Sequence, residues 1–383
     1  MFDDLRAAVR DPVPALADRV AFLSDARAHH AHGPSGPVTV IETHMSWVFL
    51  VGAHALKLKK PVLQPFLDFS TVQSRELHCR EEVRLNTRLA PDVYLGVMAL
   101  QWDGRQLHLR HDRNVDPSQR TLDWAVLMRR LDEAHLLDRR IAARAVTAPQ
   151  IDALGQTLSA FYRGAACVPM APGEYLGRLH RECALHREML VRRRLSLPGA
   201  ADALQRYAQA LDRHADLLES RVRERRIVEG HGDLRPEHIC LCDPPRIIDA
   251  LEFSPLLRQV DPMDELAFLG LECELAGASW IGPRLVAAVG RALDDDPAPM
   301  LLPLYAASRA LLRARLSMAH LLDAQPRTPE RWQPQAARYL ERARRALDSI
   351  DLLDAVSRFR RDAPTSRASG GWPVPGRALP APT

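Results

Sequence analysis

From Val38 onward the hydrophobic pattern changes period. Val38 to Glu42, Trp47 to Val51 and Ala55 to Lys59 are short β-prone runs, separated by Thr43-His-Met-Ser46 and Gly52-Ala-His54, and they predict an antiparallel three-stranded start. Ser70-Thr-Val-Gln73 then has capping-box spacing, and Leu77, Leu85 and Leu89 among charged neighbours describe a helix that stops before Pro91. Two more strand regions follow: Val93 to Trp102, turning through Asp103-Gly104 into Gln106 to Leu109, and Leu122 to Met128. The β-rich part ends near Leu131.

Beyond it, apolar residues recur three and four apart over 148–165, 174–194, 200–225, 262–277, 280–293, 298–323 and 329–358, which predicts helices there. One interruption, 228–254, is short, β-prone and loaded with His, Asp and Cys. The expected organisation is a helical and loop preamble over 1–35, a small antiparallel-sheet lobe over 36–131, a mainly helical lobe over 132–361 that carries the 228–254 loop, and a Pro/Gly-rich disordered tail over 362–383. The class is α+β in two lobes.

Charge and composition narrow the function classes. The longest candidate for a membrane span, Trp47 to Val51, stops at Gly52, far short of the roughly 20 apolar residues a membrane helix needs. The N-terminus is acidic and amphipathic without a basic start, so a cytoplasmic protein with no membrane partner is expected. Six dispersed cysteines read as reduced thiols. The net charge of +4, from 52 basic and 48 acidic residues intermixed, gives little support to nucleic-acid binding. The kind of base says more: lysine occurs only at Lys57, Lys59 and Lys60, and the other 49 basic residues are arginine. A compact ammonium on a thin stem suits a phosphate deep in a cleft, whereas the bland account is a solvated strand end. His29, His30 and His32, beside Gly33 and Gly36, read as a flexible loop rather than a metal site.

The interruption reads His231-Gly-Asp-Leu-Arg-Pro-Glu-His238, then Arg246-Ile-Ile-Asp249-Ala-Leu-Glu-Phe253, then Asp261-Pro-Met-Asp264-Glu-Leu-Ala267. Two acidic loops flank a short hairpin, across which Asp233 and Asp249 can approach one another. That geometry suits phosphoryl transfer, which depends on positioning and on neutralising charge: one carboxylate by an attacking hydroxyl, the other holding Mg²⁺ against nucleotide phosphates.

These residues resemble the aminoglycoside phosphotransferase family, small-molecule relatives of the protein kinases. His231-Gly232-Asp233-Leu234, Ile248-Asp249 and Asp264-Glu265-Leu266-Ala267 carry the resemblance. Glu42 to Leu50, Ala55 to Pro61, Phe66 to Thr71 and Leu89 to Gly96 are similar to an uncharacterised bacterial subgroup, many of whose members carry a further P-loop ATPase domain. No G-x-x-x-x-G-K-[ST] occurs here. The resemblance implies a protein-kinase-like fold, ATP and Mg²⁺ as cofactors, and a small hydroxylated molecule as phosphate acceptor. Asp233 would be the catalytic base, Asp249 the principal Mg²⁺ ligand and His231 a scaffold residue. Lys57 would contact the α/β-phosphates and pair with an acid on the following helix. Glu82 shares a helix face with Leu85 and Leu89, and Glu81 stays the alternative, as Lys59 does for Lys57. Met128 would line the adenine pocket.

The chain departs from the family pattern in places. His238 stands where Asn is usual, a poorer ligand for a hard ion at a second metal position. The phosphate-covering loop, Thr43 to Trp47, holds no glycine, leaving Ser46 and the turn itself to meet phosphate. Asp264 is expected to anchor the catalytic loop. His238, Cys240 and Cys242 form an H-x-C-x-C run read as buried strand residues. Arg192 to Arg194 and Arg221 to Arg226 read as solvated helix faces, and Glu265, Glu272 and Glu274 as surface acids or the wall of an acceptor pocket. A catalytically inactive ATP-binding regulatory module is the alternative to a kinase.

Overall fold

Six strands close the N-terminal part into one antiparallel sheet: β1 (Thr39–Glu42), β2 (Ser46–Val51), β3 (His54–Lys59), β4 (Tyr94–Trp102), β5 (Leu107–His111) and β6 (Arg120–Arg129), in spatial order β1-β2-β3-β6-β4-β5. The computed structural model describes residues 13–32, 36–64, 67–191, 196–322 and 328–362. The expected tail lies outside them from 363 on, as do the arginines at 192–194.

Alternation on β3 sorts its side chains. Leu56 and Leu58 join Phe49, Met98 and Leu127 on one face, where Leu23 of α1 (Leu16–Ser24) packs. Ala55, Lys57 and Lys59 take the other face, toward α2 (Val72–Asn86) and the second lobe. The cap of α2 is Thr71, whose hydroxyl accepts from the Ser74 amide at 3.1 Å. Ser70, expected to cap, is instead turned onto Asp68, its amide 2.8 Å from the carboxylate. The His29 segment is likewise no loose loop, since Ala26–His32 is a 3₁₀ turn and buried His29 bonds the Leu23 carbonyl at 2.8 Å.

The second lobe is helical: α3 (Leu137–Ala142), α4 (Ala148–Gly164), α5 (Pro172–Leu190), α6 (Ala200–Arg213), α7 (Ala215–Arg223), α8 (Pro255–Arg258), α9 (Pro262–Leu275), α10 (Ile281–Ala292), α11 (Leu301–Ala319) and α12 (Pro329–Asp362). The expected single helix over 200–225 breaks at His214, and α3 was too short for its period to show. At the lobe's centre α11 packs on α5, α9 and α12. Arg221, expected in solvent, is buried between Asp261 and Asp295, 2.6 Å from each. Among the described residues no helix is long and apolar enough to cross a membrane.

Ion pairs fasten α2 to the second lobe. Arg84 reaches Glu229 at 3.1 Å, and Arg88 donates to the carbonyls of Glu229 and Gly230 at 3.0 and 3.1 Å. From the other side, buried Arg258 meets Glu81 at 3.0 Å and Glu229 at 3.1 Å, and donates to the Leu251 carbonyl at 2.6 Å. The helix bearing Glu82 is therefore held against the loop bearing Asp249.

Candidate active site

The strand Val228–Glu229 pairs with Gln259–Val260 and feeds the 230–235 loop. Gly232 sits at φ 90°, where a side chain would strain the backbone and its Cβ would stand 3.1 Å from the Leu257 carbonyl. His231 is fully buried, which lowers its pKa to about 4 and keeps it neutral. Its Nε2 donates to the Ile248 carbonyl at 2.9 Å and its Nδ1 accepts the Asp233 amide at 3.2 Å, so the ring braces the loop. The anchor beneath is Glu265, not Asp264. Both Glu265 oxygens accept the His231 amide, at 3.0 and 3.1 Å, and Oε1 also takes the Gly232 amide at 2.5 Å. Asp264 points the other way, onto Arg309 at 2.7 Å. Burial raises the Glu265 pKa, and hydrogen bonds from three donors, the His231 and Gly232 amides and the Tyr162 hydroxyl, work against that rise.

Asp249 follows the hairpin that pairs Ile239–Cys240 with Arg246–Ile247. Its φ of 65° is left-handed, a conformation Asp tolerates better than most residues. The turn is pinned on three sides: the Asp249 amide donates to the Tyr94 hydroxyl at 3.1 Å, the Ala250 amide to Asn86 Oδ1 at 2.9 Å and the Leu251 amide to the His231 carbonyl at 3.0 Å. Asn86 in turn donates to the Glu82 carbonyl at 2.8 Å. Burial works against ionisation of Asp249, but Lys57 and His238 outweigh it and hold the carboxyl well below the usual range. Its side chain keeps 43% of its exposure, facing the cleft.

Lys57 Nζ stands 2.9 Å from Glu82 Oε1 and 2.6 Å from Asp249 Oδ1. Glu81 is elsewhere, on Arg84 and Arg258. Burial disfavours the Lys57 ammonium, yet Asp249 and Glu82 overcome this and raise its pKa. Lys59 is 1% exposed and pairs with Glu82 Oε2 at 2.5 Å and with Glu252. Lys60 leaves the site for Glu42, 2.5 Å away, and the Trp47 ring.

Lys57, Lys59, Asp249 and Glu252 line one interlobe cleft of about 550 Å³, with Glu82 buried behind the two lysines. Val48, Leu50, Ala55, Val93 and Met128 give one end an apolar lining, and Asp233, His238 and Asp249 make the other end polar. His238 spans the two acids: Nδ1 donates to the Asp233 carbonyl at 2.9 Å and lies 3.8 Å from its Oδ2, while Nε2 lies 3.6 Å from Asp249 Oδ2. Ser46 lines the cleft, but its amide donates to Thr43 Oγ1 at 3.0 Å and its hydroxyl is 3.1 Å from that same oxygen. Next to it His44 stacks on His320 with centroids 4.8 Å apart, and His320 on Trp332 at 4.0 Å, so the loop over the cleft meets the turn that follows α11, which in turn rests on α12.

The H-x-C-x-C run, read as buried strand residues, is so at Cys240, whereas His238 belongs to the 3₁₀ turn Pro236–His238 and faces the cleft. Glu265 is interior, Glu272 binds the Tyr339 hydroxyl and Arg313, and Glu274 binds Arg342, so none is a free wall for an acceptor. Sequence reasoning missed Asn86, Tyr94, Glu252 and the role of Glu265. Asn86, four residues after Glu82 on the same helix face, was the one with a readable signal.

No family model matches the chain. Uncharacterised proteins of Mycobacterium bovis and Mycobacterium tuberculosis are each 30% identical to it over 299 residues, 76% of this chain and 56% of theirs. The chain thus spans about half the length of the curated relatives it matches. Among solved structures, a choline/ethanolamine kinase family protein from Mesorhizobium loti aligns with TM-score 0.51 at 15% identity, over 88% of this chain and 100% of that one. The choline kinase LicA from Streptococcus pneumoniae gives 0.51 at 13% identity, with the same coverage of 88% and 100%. At such identities the likeness is one of fold: the chain has the two-lobed, protein-kinase-like α+β fold.

Proposed function

We propose that this protein is an ATP-dependent phosphotransferase that moves the γ-phosphate to a hydroxyl of a small molecule. The observation that carries the reading is Asp233 and Asp249 opening on one cleft, joined by His238, with the Lys57–Glu82 pair at its wall. The apolar end near Met128 suits an adenine ring and the polar end a phosphate chain.

The donor set fits one divalent ion. Mg²⁺ takes oxygen ligands and is commonly held by one or two carboxylates plus substrate phosphates. Asp249 offers such a carboxylate to the cleft, and the imidazole of His238 does not suit so hard an ion. Held by Asp249, Mg²⁺ would neutralise charge on the transferring phosphoryl group. Lys57 would exchange its contact with Asp249 for phosphate oxygens while Glu82 keeps it in place. Asp233, 26% exposed beside Arg235, would orient the acceptor hydroxyl and accept its proton.

A second reading, a nucleotide-binding module without turnover, draws on the Ser46 amide being spent on Thr43 and on His238. Asp233→Asn separates the two, because it keeps the shape and deletes the charge. Turnover against a panel of hydroxylated metabolites, or slow ATP hydrolysis, should fall by at least about a hundredfold while the thermal shift from Mg·ATP stays. Unchanged turnover would refute the base assignment; ATP binding by wild type with no turnover on any acceptor would favour the module.

A further inference from the structure

All three lysines of the chain end on carboxylates, but only one is withdrawn from water altogether. Lys59 is 1% exposed, with Glu82 at 0% and Glu252 at 8%. A buried ion pair is costly, and a well-packed apolar pair of the same volume is often no less stable, so stability alone does not explain it.

Its geometry does. Glu82 divides its oxygens, Oε1 to Lys57 and Oε2 to Lys59. With Oε2 occupied, the carboxylate cannot rotate to grip Lys57 with both oxygens, and the Lys57 ammonium stays extended toward Asp249 and the cleft. The same Lys59 ammonium meets Glu252, three residues beyond Asp249 on one pinned segment. Charges therefore alternate in a chain, Asp249–Lys57–Glu82–Lys59–Glu252, that runs from the loop into the sheet lobe and back.

We propose that Lys59 is a positioning residue: by holding Glu82 and Glu252 together it sets how far Lys57 reaches into the cleft and where Asp249 stands relative to it. This rests on the phosphotransferase reading for its purpose, though not for its geometry. Lys59 and Glu252 border the same cleft, but with 1% of its side chain exposed Lys59 spends its ammonium on Glu82 and Glu252 and acts through Lys57.

Because the chain has three lysines, isotope labelling of lysine nitrogen gives three side-chain ammonium signals, each assigned by one substitution. The double variant Lys59→Met/Glu252→Gln removes both charges at similar volume and leaves no ion stranded by their loss. Its Lys57 signal should move without nucleotide present, and its Mg·ATP dissociation constant should rise by about tenfold to a hundredfold. A Lys57 signal unmoved from wild type, or an unchanged dissociation constant in a protein that binds, overturns the proposal. If wild type binds no nucleotide, the phosphotransferase reading fails, and the Lys57 signal alone then decides the positioning. Should the double variant not fold, Glu252→Gln, which leaves Lys59 paired with Glu82, is judged by the same readings.

Discussion

The carboxylate of Glu265 accepts the backbone amide of His231 with both oxygens, at 3.0 and 3.1 Å, from beneath the loop that carries Asp233. Neighbouring Asp264 takes no part, being bonded to Arg309. The two acids therefore stand for different things, one for the loop and one for helix packing. Glu265→Ala leaves the buried amides of His231 and Gly232 without acceptors, each worth about 1–3 kcal/mol, and should lower the unfolding free energy accordingly in urea titrations. Glu265→Gln should keep more stability and still lose the nucleotide-dependent thermal shift. If Asp264→Asn disturbs that shift more than Glu265→Gln does, the assignment is wrong.

Asp249 should carry the magnesium-dependent part of nucleotide binding. Asn is the right replacement, because it tolerates the left-handed backbone at φ 65° where Ala would add strain. Full occupancy at about 100 times the dissociation constant adds roughly 2.7 kcal/mol to wild type. In Asp249→Asn, the difference between melting with ATP alone and with Mg·ATP should vanish. A difference as large as that of wild type would move the ion elsewhere.

Lys57 and Lys60 differ in what they face. Lys57→Met should weaken Mg·ATP binding more than Lys59→Met does, and Lys60→Met should leave it at wild-type strength, since Lys60 is occupied by Glu42 and Trp47 outside the cleft. Calorimetric titration measures all three. Equal losses would point to a diffuse basic patch.

His186 on α5 is fully buried, neither ring nitrogen has a hydrogen-bond partner among the described residues, and burial pushes its pKa down to about 3. The folded value lies below the unfolded one near 6.5, so the unfolded state takes the proton first. Stability is complete above about pH 6.5 and is lost as pH falls toward 3. Between pH 7 and pH 5 the loss from this residue is about 2 kcal/mol. His186→Leu should be nearer to wild type at pH 7 and gain on it at pH 5, in melts run at both. Parallel pH curves for the two proteins would show that the ring is not buried neutral.

Much of this was legible. The strands of the sheet emerged within about two residues, because one face of each is apolar and a period of two is hard to mistake. The choice of Glu82 over Glu81 followed from a helix period that separates adjacent residues by about 100°. The same arithmetic could not choose between Asp264 and Glu265, since α9 is apolar on nearly all sides and its docking decides which acid turns inward. Arg221 looked like a surface residue because its partners, Asp261 and Asp295, lie far along the chain. Lys59 and Glu252 were both in view as residues, but their meeting is a fact of how the lobes dock.

The stack of His44, His320 and Trp332 gives the two lobes a further attachment at the β1–β2 turn, apart from the ion pairs of α2 and the bonds of the Asp249 segment. The covalent link lies where the sheet ends at Arg129 and the chain passes into the helical lobe. A jaw hinged at one end opens by swinging, whereas a jaw fastened also at its tip becomes a window, reached through its open flanks. Each aromatic contact is worth about 0.5–1.5 kcal/mol, weak enough to part when the lobes separate and strong enough to favour the closed arrangement. If the protein is the phosphotransferase proposed above, the expected consequence is a pace set by departure, with product nucleotide waiting for the clasp to part.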